Sequence, residues 1–350
     1  MHLEDLGWSS SRSSTLDRST HPDPIPARIA RVDGARATAL TPHGEQVIDL
    51  PSRFRRGEHT LVVGDWVALL PAPDGPARID QLLPRTTWLG RRAAGRRVRQ
   101  QLLATNVDTV FILSSMDDDF SERRLERYLT VAHDGGVTPV VLLTKAGLAA
   151  EPDAFVARAR AVAPGVDVLA IDVLAEIGGE ALAAHVLPGR TLALVGSSGV
   201  GKSTLVNHLA GSTPMATQHV RERDGRGQHT TTHRQLFVLP QGGIVIDTPG
   251  LRELSLWARA SALEQTFADV EALARACRFG DCTHQHEPGC AVLEAVTEGT
   301  IDPQRVESYL SLHREVELTR AQMPTHQRRR AERKQGKMYR EIQAQKRRRR

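Results

Sequence analysis

Cysteine is scarce in this chain: three in 350 residues, all between positions 277 and 290. So confined a set leaves nothing for a disulfide framework and points to a reducing compartment or a metal. Long apolar runs are missing as well, since none approaches the roughly 18 residues that a membrane span requires. The opening Met1-His-Leu-Glu-Asp-Leu has no basic region followed by an apolar one, so no secretory leader is read there. A cytoplasmic protein without membrane association is expected, and a monomer.

What is there is ordinary in bulk: 40% hydrophobic and 25% charged residues, the profile of a globular protein. The length predicts two or three domains. The net charge of +5 is unevenly spread. Twelve Lys/Arg against Glu332 and Glu341 from Arg328 onward give +10, leaving −5 for the rest. A polycation with few apolar anchors is expected to be disordered when free and suits an RNA partner, the plainer alternative being a solvating tail.

Residues 1–25 are rich in Ser, Pro, Asp and Arg and read as a flexible lead-in. From Ala27 to Leu83 short alternating runs (27–32, 35–40, 46–50, 60–63, 65–70, 77–82) predict five or so strands and an oligonucleotide-binding-type (OB-type) β-barrel. Arg85, Arg91, Arg92, Arg96, Arg97 and Arg99, with Trp88 among them and no acid, either grip phosphates and stack on bases or form a solvated linker. Beyond them, strands 106–113, 139–143, 166–171 and 191–195 alternate with helices 122–133, 154–162 and 178–185. That alternation predicts a doubly wound parallel sheet.

The most informative stretch is Gly196, Ser197, Ser198, Gly199, Val200, Gly201, Lys202, Ser203 and Thr204. It reads G-x-x-x-x-G-K-S between a buried strand and a helix, the context that makes a phosphate loop credible. Backbone N–H groups of the glycines can face a phosphate, the helix start adds its positive end, Lys202 reaches the β- and γ-phosphates, and Ser203 holds Mg²⁺. A polar loop, 225–232, and a strand pair, 235–240 and 243–246, follow. The second strand ends in Asp247-Thr-Pro-Gly250, where Asp247 is placed to hold Mg²⁺ through water and the Gly250 N–H to face the γ-phosphate.

Cys277, Cys282, a histidine and Cys290 supply enough donors for a closed tetrahedral zinc site. Such a site has no open position for catalysis, so its role is structural. His284 and His286 both lie within reach by spacing. Helices are expected at 290–298 and 306–320.

With these pieces in place the chain resembles the ribosome small-subunit-dependent GTPase A family, circularly permuted GTPases that assist late maturation of the bacterial small ribosomal subunit. The resemblance covers nearly everything from Leu3 to Glu317 and rests on Gly64-Asp-Trp-Val67, Gly196–Thr204, Gly227–Thr232, Asp247–Gly250 and the C-x4-C-x-H-x5-C spacing. It implies an OB-type barrel (26–90), a circularly permuted α/β P-loop GTPase domain (100–256), an α-helical zinc-binding domain (257–325) and a basic disordered tail (326–350). It also implies GTP and GDP as ligands, Mg²⁺, one structural zinc held through His284, and the small ribosomal subunit with its rRNA as partner. Thr144, Lys145, Ala146 and Gly147 match the guanine-reading N/T-K-x-D motif, which here precedes the phosphate loop.

Two departures matter. Gly147 stands where the family has the aspartate that accepts guanine's N1–H and exocyclic amine, and 171–174 lacks the Ser-Ala type of base contact. Charged bonds of that kind are worth about 1.5–3 kcal/mol each, so guanine preference is expected to fall by roughly a hundredfold or more. Leu251 stands where Ras-type enzymes carry the water-orienting glutamine, which predicts slow intrinsic hydrolysis. Catalysis is therefore assigned to Lys202, Thr231 and His229, the last as the residue that positions water. The alternatives are a purine-permissive or ATP-using relative and an RNA-binding assembly scaffold with a weakly active nucleotide site.

Overall fold

The computed structural model describes residues 1–17, 23–55, 59–72, 75–93, 100–211, 234–247 and 256–322. After a short helix α1 (Ser10–Ser13), five strands follow: β1 (Ile25–Asp33), β2 (Arg36–Thr41), β3 (Gly44–Asp49), β4 (Trp66–Ala72) and β5 (Gly75–Leu82), with α2 (Ser52–Arg55) before β4. Their antiparallel order is β3-β2-β1-β4-β5, and β3 lies against β5, which closes an OB-type barrel. Its inward residues, among them Ile29, Ala37, Ile48, Val67, Leu69 and Ile79, form a separate core. Residues 60–63, expected as a strand, are instead irregular chain with Leu61, Val62 and Val63 buried: the Leu61 N–H goes to Phe54 O and the Val62 N–H to Asp65 Oδ2.

The arginine-rich segment corrects the expectation. Strand β6 (Trp88–Arg92) pairs with β7 (Gln100–Thr105) in a hairpin, and Trp88 is 1% exposed, so it offers no face for a nucleobase. Arg85 is not a phosphate grip either: its guanidinium holds both oxygens of the fully buried Asp65, at 2.7 Å each. Arg91 and Arg92 reach Gln101 and Gln322. Arg96, Arg97 and Arg99 lie outside the described residues.

Residues 1–17 are no flexible lead-in. Leu6 is fully buried beside Trp66 and Leu83, and the Trp8 ring meets Trp66 edge-on at 4.8 Å. Arg12, also buried, donates to Asn106 Oδ1 at 3.1 Å. Gly7 and Gly189 face one another so closely that a Cβ on either would lie 2.7 Å from a carbonyl of the other segment.

The second body is built on the parallel strands β8 (Thr109–Ser115), β9 (Thr138–Thr144), β10 (Asp167–Ala170), β11 (Thr191–Gly196) and β13 (Ile244–Asp247), with β12 (Gln235–Val238) antiparallel to β13. Side chains along a strand alternate between faces. Val110, Ile112, Val141, Leu143, Ala193 and Val195 therefore pack on one side, under α3 (Glu122–Gly135) and α4 (Pro152–Val162). Phe111, Leu113, Val140, Leu142, Leu192 and Leu194 pack on the other, under α5 (Gly179–Ala183) and α6 (Lys202–Leu209). The order β10-β9-β8-β11-β13-β12 continues into barrel strand β1 through the pair Arg31 and Gln235, so barrel and parallel sheet are one hydrogen-bonded surface.

Four helices, α7 (Ala260–Thr266), α8 (Ala268–Ala274), α9 (Ala291–Thr297) and α10 (Pro303–Ala321), add Leu263, Phe267, Val270, Val292, Tyr309 and Leu312 to the core beneath α3. A buried polar seam runs through this contact. Arg305 bonds Glu126 at 2.7 Å, Asp269 at 2.9 Å and Thr266 O at 2.7 Å, while Ser308 donates to the other Glu126 oxygen. Burial raises the Glu126 carboxyl above its usual range, and the bonds from Ser308 and Arg305 only partly offset it. Among the described residues no helix is long and apolar enough to cross a membrane.

Candidate nucleotide site and metal centre

Strand β11 sits where the sheet changes direction of growth, between β8 and β13, and its C-terminal end is the crevice in which such sheets bind ligands. The loop 196–201 turns there into α6. Gly199 and Gly201 have φ of 78° and 97°, a backbone that a side chain disfavours and that turns successive N–H groups toward one side. Lys202, at the first position of α6, lays its ammonium back over the loop on Gly196 O at 2.8 Å and on Ser197 O. Ser203 and Thr204 are exposed in the first helical turn, and Val200 is buried beneath.

The segment 144–147 is brought against this loop. Thr144 Oγ1 donates to Val200 O at 2.8 Å, joining two loops 56 residues apart. Lys145 takes a left-handed backbone, φ 62°, and its ammonium lies 2.7 Å from Asp117 Oδ2. Partial burial pushes the Asp117 carboxyl up, but bonds from Lys145, the Ser115 hydroxyl and the Asp119 N–H outweigh it and hold it below the usual range. Ala146 is buried and Gly147 donates its N–H to Asp172. Asp247 ends β13, whose Ile246 is in register with Ala193 of β11, so its carboxylate stands at the same edge of the sheet as the phosphate loop. Gly250, Leu251, His229 and Thr231 lie outside the described residues, as does the 326–350 tail.

The structure also shows residues that the motifs did not point to. Asp117 holds Lys145, Asp119 accepts from the Ser197 hydroxyl at 2.5 Å, and Asp172 reaches Gly147. Nothing in their local spacing marks them, because each acts on a loop made elsewhere in the chain.

In the C-terminal helices, Cys277, Cys282, His284 and Cys290 bring their donor atoms within 4.8 Å of one another. Cys277 Sγ is 3.9 Å from Cys290 Sγ, and His284 Nδ1 is 3.5 Å and 3.4 Å from those two sulfurs. A tetrahedral zinc with bonds of about 2.3 Å to sulfur and 2.0 Å to nitrogen sets its ligands about 3.5–3.8 Å apart. The donor set and spacing fit zinc. The cluster includes His284 and not His286. Burial lowers the His284 pKa, a shift toward the neutral imidazole that binds metal. Glu287 accepts from the Thr283 hydroxyl and from the N–H groups of Thr283, Gln285 and His286, fixing the loop between Cys282 and Cys290.

The model of the RsgA GTPase family matches residues 82–257. A protein of Syntrophotalea carbinolica described as small ribosomal subunit biogenesis GTPase RsgA is 41% identical over 327 residues, 90% of each chain. The protein of that name from Xylella fastidiosa is 50% identical over 275 residues, 77% of this chain and 79% of that one. Among solved structures, YjeQ from Thermotoga maritima superposes with a TM-score of 0.63 at 25% identity, over 84% of this chain and 99% of that one. YloQ, described as a circularly permuted GTPase, shares the fold with a TM-score of 0.58 at 24% identity, over 86% and 98%.

Proposed function

Because the chain belongs to the RsgA GTPase family, we propose that it hydrolyses GTP to GDP and phosphate in the biogenesis of the small ribosomal subunit. The observation that carries the reading is the Thr144 to Val200 bond, which seats the base-facing segment on the phosphate loop. A single ligand spanning both would have its base beside Lys145 and its phosphates at 196–204. Neither the purine-permissive reading nor the scaffold reading is favoured by the similarities.

In this reading the backbone of 196–201 and the Lys202 ammonium bind the β- and γ-phosphates, and Lys202 neutralises charge that builds on the leaving oxygen. Ser203 and Asp247 would hold Mg²⁺, which supplies further neutralisation of the phosphates when bound. Gly250 would donate its N–H to the γ-phosphate, and Thr231 and His229 would order and aim the attacking water. With Leu251 in place of a glutamine, turnover alone is slow and depends on the partner for stimulation. The zinc held by the Cys3His group would be structural, clamping 277–290 onto α10. Contact with rRNA through the barrel, the zinc domain and the basic tail, a cytoplasmic location and a monomeric state complete the proposal.

The test is steady-state hydrolysis of GTP and ATP with and without small ribosomal subunits. Stimulation confined to GTP is expected, and Lys202→Ala should lower the stimulated rate by roughly a hundredfold or more. Equal rates for both nucleotides, or a Lys202→Ala variant as active as the wild type, would sink it.

A further inference from the structure

Gly147 leaves the base-facing segment without a carboxylate, yet a carboxylate stands beside it. A Cβ built on Gly147 would lie 3.1 Å from Asp172 Oδ2, 3.4 Å from the Ala175 Cβ and 3.5 Å from Ile177 Cδ1. The space into which a side chain at position 147 would grow is thus the space that the Asp172 carboxylate borders.

The placement is built. Pairing between β9 and β10 runs on past the strands, with the Ile171 N–H on Leu143 O at 2.8 Å and the Ala146 N–H on Ile171 O at 3.3 Å. Residues 172–177 then close a small loop through reciprocal backbone bonds between Asp172 and Ile177. Asp172 Oδ1 accepts from the N–H groups of Leu174 and Ala175 at 3.1 and 3.2 Å, and Oδ2 accepts from the Gly147 N–H at 3.2 Å. The side chain is buried, and these bonds fix its direction. An ionised carboxylate offers about four acceptor sites. Three are used here, and the one that remains belongs to Oδ2, the oxygen facing Gly147.

We propose that Asp172 is the base-reading carboxylate of this protein, accepting an N–H of the C2 amine of guanine in place of the missing side chain at 147. The proposal rests on the nucleotide-site reading above. Adenine presents a lone pair at N1 and no amine at C2, so the same oxygen repels it. One acceptor site in place of two predicts that GTP is preferred over ATP, by roughly ten- to a hundredfold. A glycine at 147 follows from the arrangement, since a second carboxylate there would lie against the first.

The test is displacement of a fluorescent GDP analogue from full-length protein by GTP, ATP and xanthosine triphosphate. Xanthine carries a carbonyl where guanine carries the amine. Asp172→Asn, whose amide N–H can donate to that carbonyl, should weaken GTP by roughly ten- to a hundredfold and strengthen xanthosine triphosphate. Asp172→Ser keeps an acceptor for the Leu174 N–H and should lose guanine preference while folding. Adding Gly147→Asp to Asp172→Ser should restore that preference, and Gly147→Asp alone should weaken GTP. Equal weakening of all three nucleotides by Asp172→Asn would make Asp172 a loop cap only and overturn the assignment, as would an unchanged ratio of GTP to xanthosine triphosphate. Failure of the wild type to bind any of the three would overturn the nucleotide site itself, and the assignment with it.

Discussion

The parallel-sheet body is gripped from two sides by a buried arginine, and the two are satisfied in opposite ways. Toward the barrel, Arg28 donates to neutral oxygens: Leu6 O, Asn106 O at 3.0 Å and Thr191 Oγ1 at 2.7 Å. Toward the zinc helices, Arg305 donates to the carboxylates of Glu126 and Asp269. Both side chains are almost wholly buried. The difference lies in what remains when the cation goes. Neutral acceptors lose bonds, whereas carboxylates are left charged in a poor solvent.

That contrast can be broken by substitution. Arg305→Met should cost about 3–5 kcal/mol in urea unfolding, because Glu126 is stranded. Adding Glu126→Gln should recover a large part of the loss, and a double variant no better than the single one would show that charge is not the reason. Arg28→Met, close in length and leaving no charge behind, should cost about 1–3 kcal/mol. A loss as large as that of Arg305→Met would remove the distinction between the two sides.

A smaller effect sharpens it. His133 on α3 shares a 2.9 Å hydrogen bond with Thr266 Oγ1 of α7, and burial pushes its pKa down to about 4 from an ordinary 6.5. As pH falls through 6.5 the unfolded chain takes up a proton that the folded chain refuses until about 4. Stability is therefore full above 6.5 and declines toward 4, by about 1–2 kcal/mol for a partly exposed group. His133→Asn should flatten that slope. Hydrogen exchange should place the acid-induced opening in α7 and leave β1 and β4 protected; uniform loss of protection would refute the assignment.

Much of the candidate site is legible in the chain because its chemistry is local. The phosphate loop, Asp247 at a strand end and the three cysteines each carry their meaning within a few residues of one another. The barrel and the parallel sheet were legible from period and alternation. The two arginine seams were not, since Arg28 finds Thr191 163 residues away and Arg305 finds Glu126 179 residues away. Composition misled where few apolar residues do the anchoring. Leu3, Leu6 and Trp8 pin a segment that otherwise reads as polar lead-in, and Trp88 and Leu89 bury a hairpin flanked by arginines. Asp172 was invisible as a partner of Gly147 because only the adjacency of β9 and β10 brings them together.

The Arg28 contact also has a history in the making of the chain. Its partner Thr191 is added 163 residues later. At about 5–20 residues per second that is a wait on the order of ten seconds on a translating ribosome. The barrel can close in that time, since β1 to β5 are all made early and Leu6 finds Trp66 and Leu83 within the same span, but Arg12 meets Asn106, and Gly7 meets Gly189, only later. Residues 3–17 thus complete their contacts in two stages, the apolar ones with the barrel and those of Arg12 and Gly7 only as the chain leading to the phosphate-loop strand is made.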